Sequence, residues 1–557
     1  MPPIANPDTL STQSRTADLA CDMTRWPSVT GSDGEAAFSG RLFDLLAATD
    51  YFKTRPEQLL VIDSHGTPAR QNVLALARGK GRRCIVLAGH FDTVSIANYG
   101  TLSPLACDPA RLTEALIREL SGRACNGVEA SALADLESGD FLAGRGLLDM
   151  KSGVAAGIAA LERFASLDEP IGNILLVATP DEENRSRGMR SLRDALPEIA
   201  RKWDLEIVGG INLDATSDDG DGSEGRAIYL GSVGKFSPFA FVVGRPTHAG
   251  YAFNGVSAHL IASEIMRAIE TNSALCDEAH GEVSPAPVCL ESRDVRHGYE
   301  VTTPAHVWMS FNWLTHRRTP GELLADFKTI VETAMETALA RQSAHGERFF
   351  EHQGNPRTLS YAGRILSFDE LWTLARSQGG QDALDRIASL EADLSNSDDP
   401  LATTRSLVAA LVTEAGLEGP AVIIGFSSLH YPMVHIDSLG EAGRALERNI
   451  LSAAQSIEER HRTTIRTKQF FAGISDMSFF GHRPEVGDVA LLALNTPVRA
   501  FVDEAPDGLL SYPVVNIGPW GRDYHQKWER LHTTYAFDIL PDFIFEAATR
   551  CLADGTA

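Results

Sequence analysis

The chain has 557 residues, long enough for two or three domains with cores of their own. With 43% hydrophobic and 22% charged residues, its composition is that of a soluble globular protein, and no apolar run is long enough to cross a bilayer. Against 50 Lys and Arg stand 74 Asp and Glu, and the formal charge of -24 opposes binding to nucleic acid or an anionic membrane.

In chain order, the polar first 30 residues lead into Ser28-Val-Thr-Gly-Ser-Asp-Gly, a loop that caps a helix from about Glu35 to Ala47. The stretch Leu59 to Leu76 supplies one or two edge strands. Three short apolar runs follow: Cys84-Ile-Val-Leu-Ala-Gly, Asn173-Ile-Leu-Leu-Val-Ala-Thr and Glu206-Ile-Val-Gly-Gly-Ile-Asn-Leu. Bounded by Gly or Pro and separated by helical segments (Gly153 to Phe164, Ser191 to Trp203), they read as buried parallel strands. Residues 95–140, with helical stretches at Leu112 to Leu120 and Ala130 to Leu136, read as a surface insertion. The charged loop from Asp218 departs from a calcium-loop register and reads as a solvated hinge. Beyond it, strands at Ala227-Ile-Tyr-Leu, Phe239-Ala-Phe-Val-Val and Val307 to Trp313 alternate with helices at Gly255 to Thr271 and Gly321 to Arg341, the order of a smaller α+β domain. Helices dominate Phe368 to Ala415 and Glu441 to Arg462; strands recur at Ala421 to Phe426 and Pro513 to Ile517. The expected division is a catalytic domain at 1–225, an inserted domain at 226–345, and the rest of the catalytic domain at 346–557 with a helical insertion near 350–465.

In an open α/β sheet, ligands collect at the carboxyl ends of the strands. Here the first run ends in His90-Phe-Asp92-Thr, the second in Pro180-Asp-Glu182-Glu183 and the third at Asp214, while Gly144-Arg-Gly-Leu-Leu-Asp149-Met-Lys-Ser-Gly opens the Ala-rich helix. Two residues apart on an extended strand end, His90 and Asp92 point to one side. Asp149 is a carboxylate able to bridge two cations. Adjacent Glu182 and Glu183 cannot face one metal equally, so one reads as a ligand and the other as a proton carrier. Mixed nitrogen and oxygen donors suit Zn²⁺, with Co²⁺ or Mn²⁺ as substitutes.

These motifs resemble the signature of the dinuclear zinc metallopeptidases that include aminoacylase, glutamate carboxypeptidase, peptidase T and succinyl-diaminopimelate desuccinylase. Further matches are Gly244-Arg-Pro-Thr-His248-Ala-Gly with Asn254-Gly-Val-Ser-Ala, Gly473-Ile-Ser-Asp476-Met, and Gly518 to Glu529, in which His525 is followed four residues later by a glutamate. The resemblance runs from about residue 35 to the end. It implies a zinc-peptidase-like catalytic domain, built on a mixed, mainly parallel sheet flanked by helices, with an inserted α+β lid and dimerisation domain. It also implies two Zn²⁺ per chain, His90 and Asp214 on one, Glu183 and His525 on the other, and Asp149 between them. Asp92 would orient His90, Glu182 would be the general base and His248 an oxyanion donor reaching the partner subunit of a homodimer. Asp476, Asn312 and Arg317 would face a small N-acyl amino acid or peptide substrate.

The chain departs from compact relatives in its extra length at 95–140 and 350–465. Val301-Thr-Thr-Pro304 through Arg317-Arg318 lacks an asparagine that many relatives use to hold a substrate carboxylate. The Asp-Tyr-His-Gln ending looks most like the family's arginine-utilisation branch. A competing reading is a non-hydrolytic metal-containing sensor or binding protein for an amino-acid derivative. A serine hydrolase fits less well, because Gly473-Ile-Ser475-Asp-Met lacks the second glycine of a nucleophile elbow. Seven scattered cysteines without a Cys-x-x-Cys pair, and no charged start followed by an apolar core, lead to the expectation of a cytoplasmic location.

Overall fold

A computed structural model of the protein describes residues 7–296, 298, 300–394 and 399–554. The chain forms two compact units: Met1–Ser232, Val434–Arg483 and Pro506–Ala557 make the first, and Val233–Met433 with Pro484–Ala505 the second.

The first unit is built on strands β1 (Leu59–Asp63), β2 (Gln71–Arg78), β3 (Lys80–His90), β4 (Ile171–Thr179), β5 (Glu206–Asn212), β6 (Ala227–Tyr229), β7 (Arg466–Lys468) and β8 (Val514–Ile517). They lie in the order β1-β2-β4-β3-β5-β8-β6-β7. The central four, β4, β3, β5 and β8, pair in parallel, whereas β1, β2 and β6 join antiparallel. Successive residues of β3 from Cys84 to Ala88 are all buried although they point alternately to the two faces. Covering on both sides is why the run is continuously apolar rather than alternating.

The helix Ser152–Ala165 runs beneath this sheet, buried along almost its whole length. Its small residues permit a close approach: a Cβ on Gly153 would lie 2.2 Å from the carbonyl oxygen of Leu213. A further helix, Pro7–Thr24, buries Leu19, Ala20 and Met23, and Arg15 pairs with Glu162 at 2.7 Å. Its sparse apolar stripe lies within a polar segment, and no helix is expected there from the sequence. The cap at the next helix, Asp33–Ala47, is as expected, with Ser32 accepting from the Glu35 amide.

In the second unit, the strand Pro238–Val243 pairs antiparallel with both His306–Thr315 and Ala421–Phe426. One face of this sheet (Ala240, Val242, Met309, Phe311) packs on the helices Ala258–Ile269 and Pro320–His352. The other face (Phe239, Phe241, Val243, Trp308) is covered by the helices Phe368–Leu394 and Pro400–Glu414. These contacts correct the expected boundaries. Ala227–Tyr229 is a strand of the first unit's sheet, and residues 346–433 stay in the second unit, because their helices bury a sheet face that would otherwise meet water. No helix among the described residues is long and apolar enough to cross a membrane.

Candidate metal centre

The three parallel strands β3, β4 and β5 deliver their C-terminal residues to one place. His90 ends β3, Glu182 and Glu183 follow β4 and Asp214 follows β5. Asp149 enters from the turn Leu147–Lys151, and His525 from the loop between strands Trp520–Arg522 and Arg530–His532. His90 Nε2 lies 3.2 Å from Asp149 Oδ1, and His525 Nε2 lies 3.0 Å from Asp149 Oδ2. The two imidazoles therefore address opposite oxygens of one carboxylate. Asp214 Oδ1 is 3.7 Å from His90 Nε2 and Glu183 Oε1 is 3.2 Å from His525 Nε2. Donor atoms of His90, Asp149 and Asp214 all fall within 4.8 Å of one another, as do those of Asp149, Glu183 and His525.

The electrostatics of this cluster call for cations. Asp92, Asp149, Glu182, Glu183, Asp214 and Asp476 crowd around two imidazoles, and all but Glu183 are buried. Burial pushes the Glu182 carboxyl well up, and Asp214, Glu183 and Asp476 add to it against His90. Glu183 is raised by burial as well. For Asp149 burial acts upward, but hydrogen bonds from His525 and His90 outweigh it and hold the carboxyl low. Burial alone would lower His525; Asp149 and Glu183 overcome it and push the imidazole up to about 10. Glu183 Oε1 is buried with the His525 imidazole at 3.2 Å as its partner. Nitrogen and oxygen donors grouped into two triads that share Asp149 fit a pair of divalent cations, one in each triad.

Contacts around the triads are less predictable from sequence. His90 Nδ1 meets the backbone oxygen of Asp92 at 3.1 Å, with the carboxylate at 3.6 Å. That carboxylate also accepts from the Glu182 and Glu183 amides at 3.0 and 3.2 Å and from Thr30 Oγ1 at 2.8 Å. Asp92 thus ties the strand end of His90 to the two glutamates. Asp214 is held by Asn516, which accepts from its amide at 3.0 Å and donates to its carbonyl at 2.9 Å, and by Ser475, whose hydroxyl donates to Oδ2 at 2.8 Å. A Cβ on Gly518 would stand 1.9 Å from the Asp214 carbonyl, so the chain passes there only as glycine. Ser475 is occupied in supporting Asp214, which leaves the serine-nucleophile reading without support. Asp476 is buried, with Oδ2 accepting from Thr179 Oγ1 at 3.0 Å.

Arg145 and Glu529 form a buried ion pair beside His525, and Glu529 Oε1 also accepts from the Gly146 amide at 3.2 Å. The remaining expected residues belong to the second unit: His248 is exposed and its Nδ1 accepts from the Gly250 amide at 3.1 Å, Arg317 is exposed, and Asn312 is half-buried in its strand.

Parallel strand ends that bring two histidines and a set of carboxylates around one shared aspartate define a metal-dependent hydrolase of the metallopeptidase type. The chain belongs to the peptidase family M20/M25/M40, whose model matches residues 128–492. It is 31% identical over 543 residues to the Bacillus subtilis protein YqjN, covering 94% of each chain. It is 26% identical over 552 residues to protein RocB of the same organism, covering 97% of this chain and 95% of that one. Among solved structures, a tripeptidase from Staphylococcus aureus shares the fold with a TM-score of 0.52 at 15% identity, covering 97% of this chain and 99% of that one.

Proposed function

We propose that the protein hydrolyses the amide bond of a small N-acyl amino acid or short peptide, with two Zn²⁺ ions per chain. The observation that carries this reading is Asp149, whose two oxygens face His90 and His525 separately. In this reading His90 and Asp214 would hold one ion, Glu183 and His525 the other, and Asp149 would serve both. When bound, such ions would supply Lewis acidity for a carbonyl and for a water molecule. Glu182 is the general base: it takes a proton from the attacking water and passes it to the departing amine nitrogen, so that a carboxylate and an amine leave. Asp92 fixes the backbone from which Glu182 and Glu183 project. His248 is the oxyanion donor, supplied across a homodimer; Asp476, Asn312 and Arg317 are assigned to the substrate side. A role in amino-acid catabolism, with arginine derivatives among the substrates, follows from the branch that the sequence resembles, and seven free cysteines support a reducing, cytoplasmic setting.

A screen of N-acylated amino acids and dipeptides, arginine derivatives included, tests the reading on zinc-loaded protein. Release of free amine that stops on chelation and returns with Zn²⁺ is the expected result; ligand binding without product would overturn it.

The histidines also set a pH dependence. In the metal-free protein the His525 pairing contributes stability that is fully present below the usual value of 6.5 and is lost as the pH rises through about 10. A ligating imidazole must be unprotonated, so zinc uptake near neutrality expels protons. The apparent zinc affinity is expected to rise with pH between 6 and 8, by about tenfold per unit for each proton displaced. Competition with a chelator of known pH dependence measures the slope, and a flat profile would contradict the protonation of the empty site.

A further inference from the structure

We propose that the insertion spanning Ala97 to Ser138 is a brace that sets the geometry of His525, with Asn98 as its central positioning residue. The proposal rests on the reading of His525 as a metal ligand.

The two histidines are held by different means. The His90 side chain is 2% exposed at the end of a central strand, and packing alone leaves it little freedom. His525 is 38% exposed in a loop. Within that loop Asp523 and His525 have φ values of 52° and 64°, a left-handed conformation that costs residues other than glycine some strain, although Asp and His adopt it more readily than most. Exposure and backbone strain leave this loop the less constrained of the two ligand positions, and the insertion contacts it from each of its three helical segments.

From the first segment, Ala97–Leu105, Asn98 Nδ2 donates to the carbonyl of His525 at 3.0 Å. Its Oδ1 accepts from Arg145 Nη2 at 3.1 Å, which fixes which end of the amide faces His525. On the opposite side, the His525 amide donates to Glu529 Oε2 at 3.3 Å. Both backbone polar groups of the ligand residue are thereby clamped by side chains that contribute no donor atom to either triad. From the second segment, Pro109–Ser121, Glu119 pairs with Lys527, two residues beyond the ligand. From the third, Gly127–Ser138, Asp135 Oδ2 accepts from Arg522 Nη1 and Arg530 Nε, each at 2.7 Å. Arg522 and Arg530 stand on the two strands that flank the loop. The insertion thus grips the loop before, at and after His525. The Asp214 side of the centre has a different support, Asn516 and Ser475, which lies outside the insertion. The brace should therefore act on one half of the centre only.

The test is calorimetric titration of Zn²⁺ into the metal-free full chain, comparing wild type with Asn98→Ala, Glu119→Gln and His525→Ala. Asn98→Ala is expected to weaken one of two binding events by about 10- to 100-fold, as loss of an outer contact to a ligand typically does, and to leave the other unchanged. Glu119→Gln, a substitution nearer the surface that should fold even if Asn98→Ala does not, is expected to weaken the same event by a smaller factor. His525→Ala should remove that event. Wild-type binding in both brace variants, with one event lost in His525→Ala, would overturn the brace and leave His525 a ligand. Equal weakening of both events together with a lowered melting temperature would reduce the insertion to general structural support and also overturn the proposal. Two wild-type events in His525→Ala would instead refute the ligand reading, and the brace with it.

Discussion

Glu182→Gln is expected to lower turnover by about 10²- to 10⁴-fold, the range set by loss of a positioned general base, while two metal ions remain bound. Glu182 Oε2 lies 3.8 Å from His90 Nε2, at the edge of the cluster, and the residue belongs to neither triad of donor atoms. Its amide donates to Asp92 Oδ1 at 3.0 Å, so the glutamine should keep its place. Because the lost interaction is proton transfer in the transition state, kcat and kcat/KM should fall together. Glu183→Gln makes the contrasting case: it alters a triad member and should cost metal as well as rate. Steady-state kinetics with metal analysis of the same samples separates the two, and full turnover by Glu182→Gln would remove it from the mechanism.

Arg145→Leu is expected to destabilise the protein by about 3–5 kcal/mol, the usual cost of removing one partner from a buried ion pair. Arg145 and Glu529 are both 1% exposed in their side chains, and the guanidinium also donates to Asn98. Once Arg145 is gone, the Glu529 carboxyl, which burial already pushes up to about 7, loses the larger of the two cations that oppose that burial and keeps only the His525 imidazole. Replacing both residues by leucine should cost less than the single change, since no buried charge is stranded. Urea unfolding followed by tryptophan fluorescence reports the difference; an Arg145→Leu midpoint equal to that of wild type would contradict the account of this pair.

Much of the centre is legible in the sequence because strand ends are. The runs leading to His90, to Glu182 and Glu183, and to Asp214 are mostly apolar, because both faces of the sheet are covered, and each leads to a residue able to bind a metal or carry a proton. The supports are not legible in that way. Asn98 and His525 are 427 positions apart, and no local period announces their contact. Asp92 stands beside His90, its carboxylate 3.6 Å from Nδ1, but its further contacts to the Glu182 and Glu183 amides depend on the turn after β4 rather than on β3 itself. The division into units fails from sequence for a related reason. Helices at 368–414 have the same periodicity whichever sheet they cover, and only the pairing of Ala421–Phe426 with Pro238–Val243 assigns them to the second unit.

The most direct test of the two-ion centre is elemental mass spectrometry on protein purified without chelator and re-equilibrated with zinc. The arrangement around Asp149 predicts about two ions per chain, falling to about one in His525→Ala. A wild-type content at or near zero would contradict it, and the strand-end residues would then have to be explained without metal.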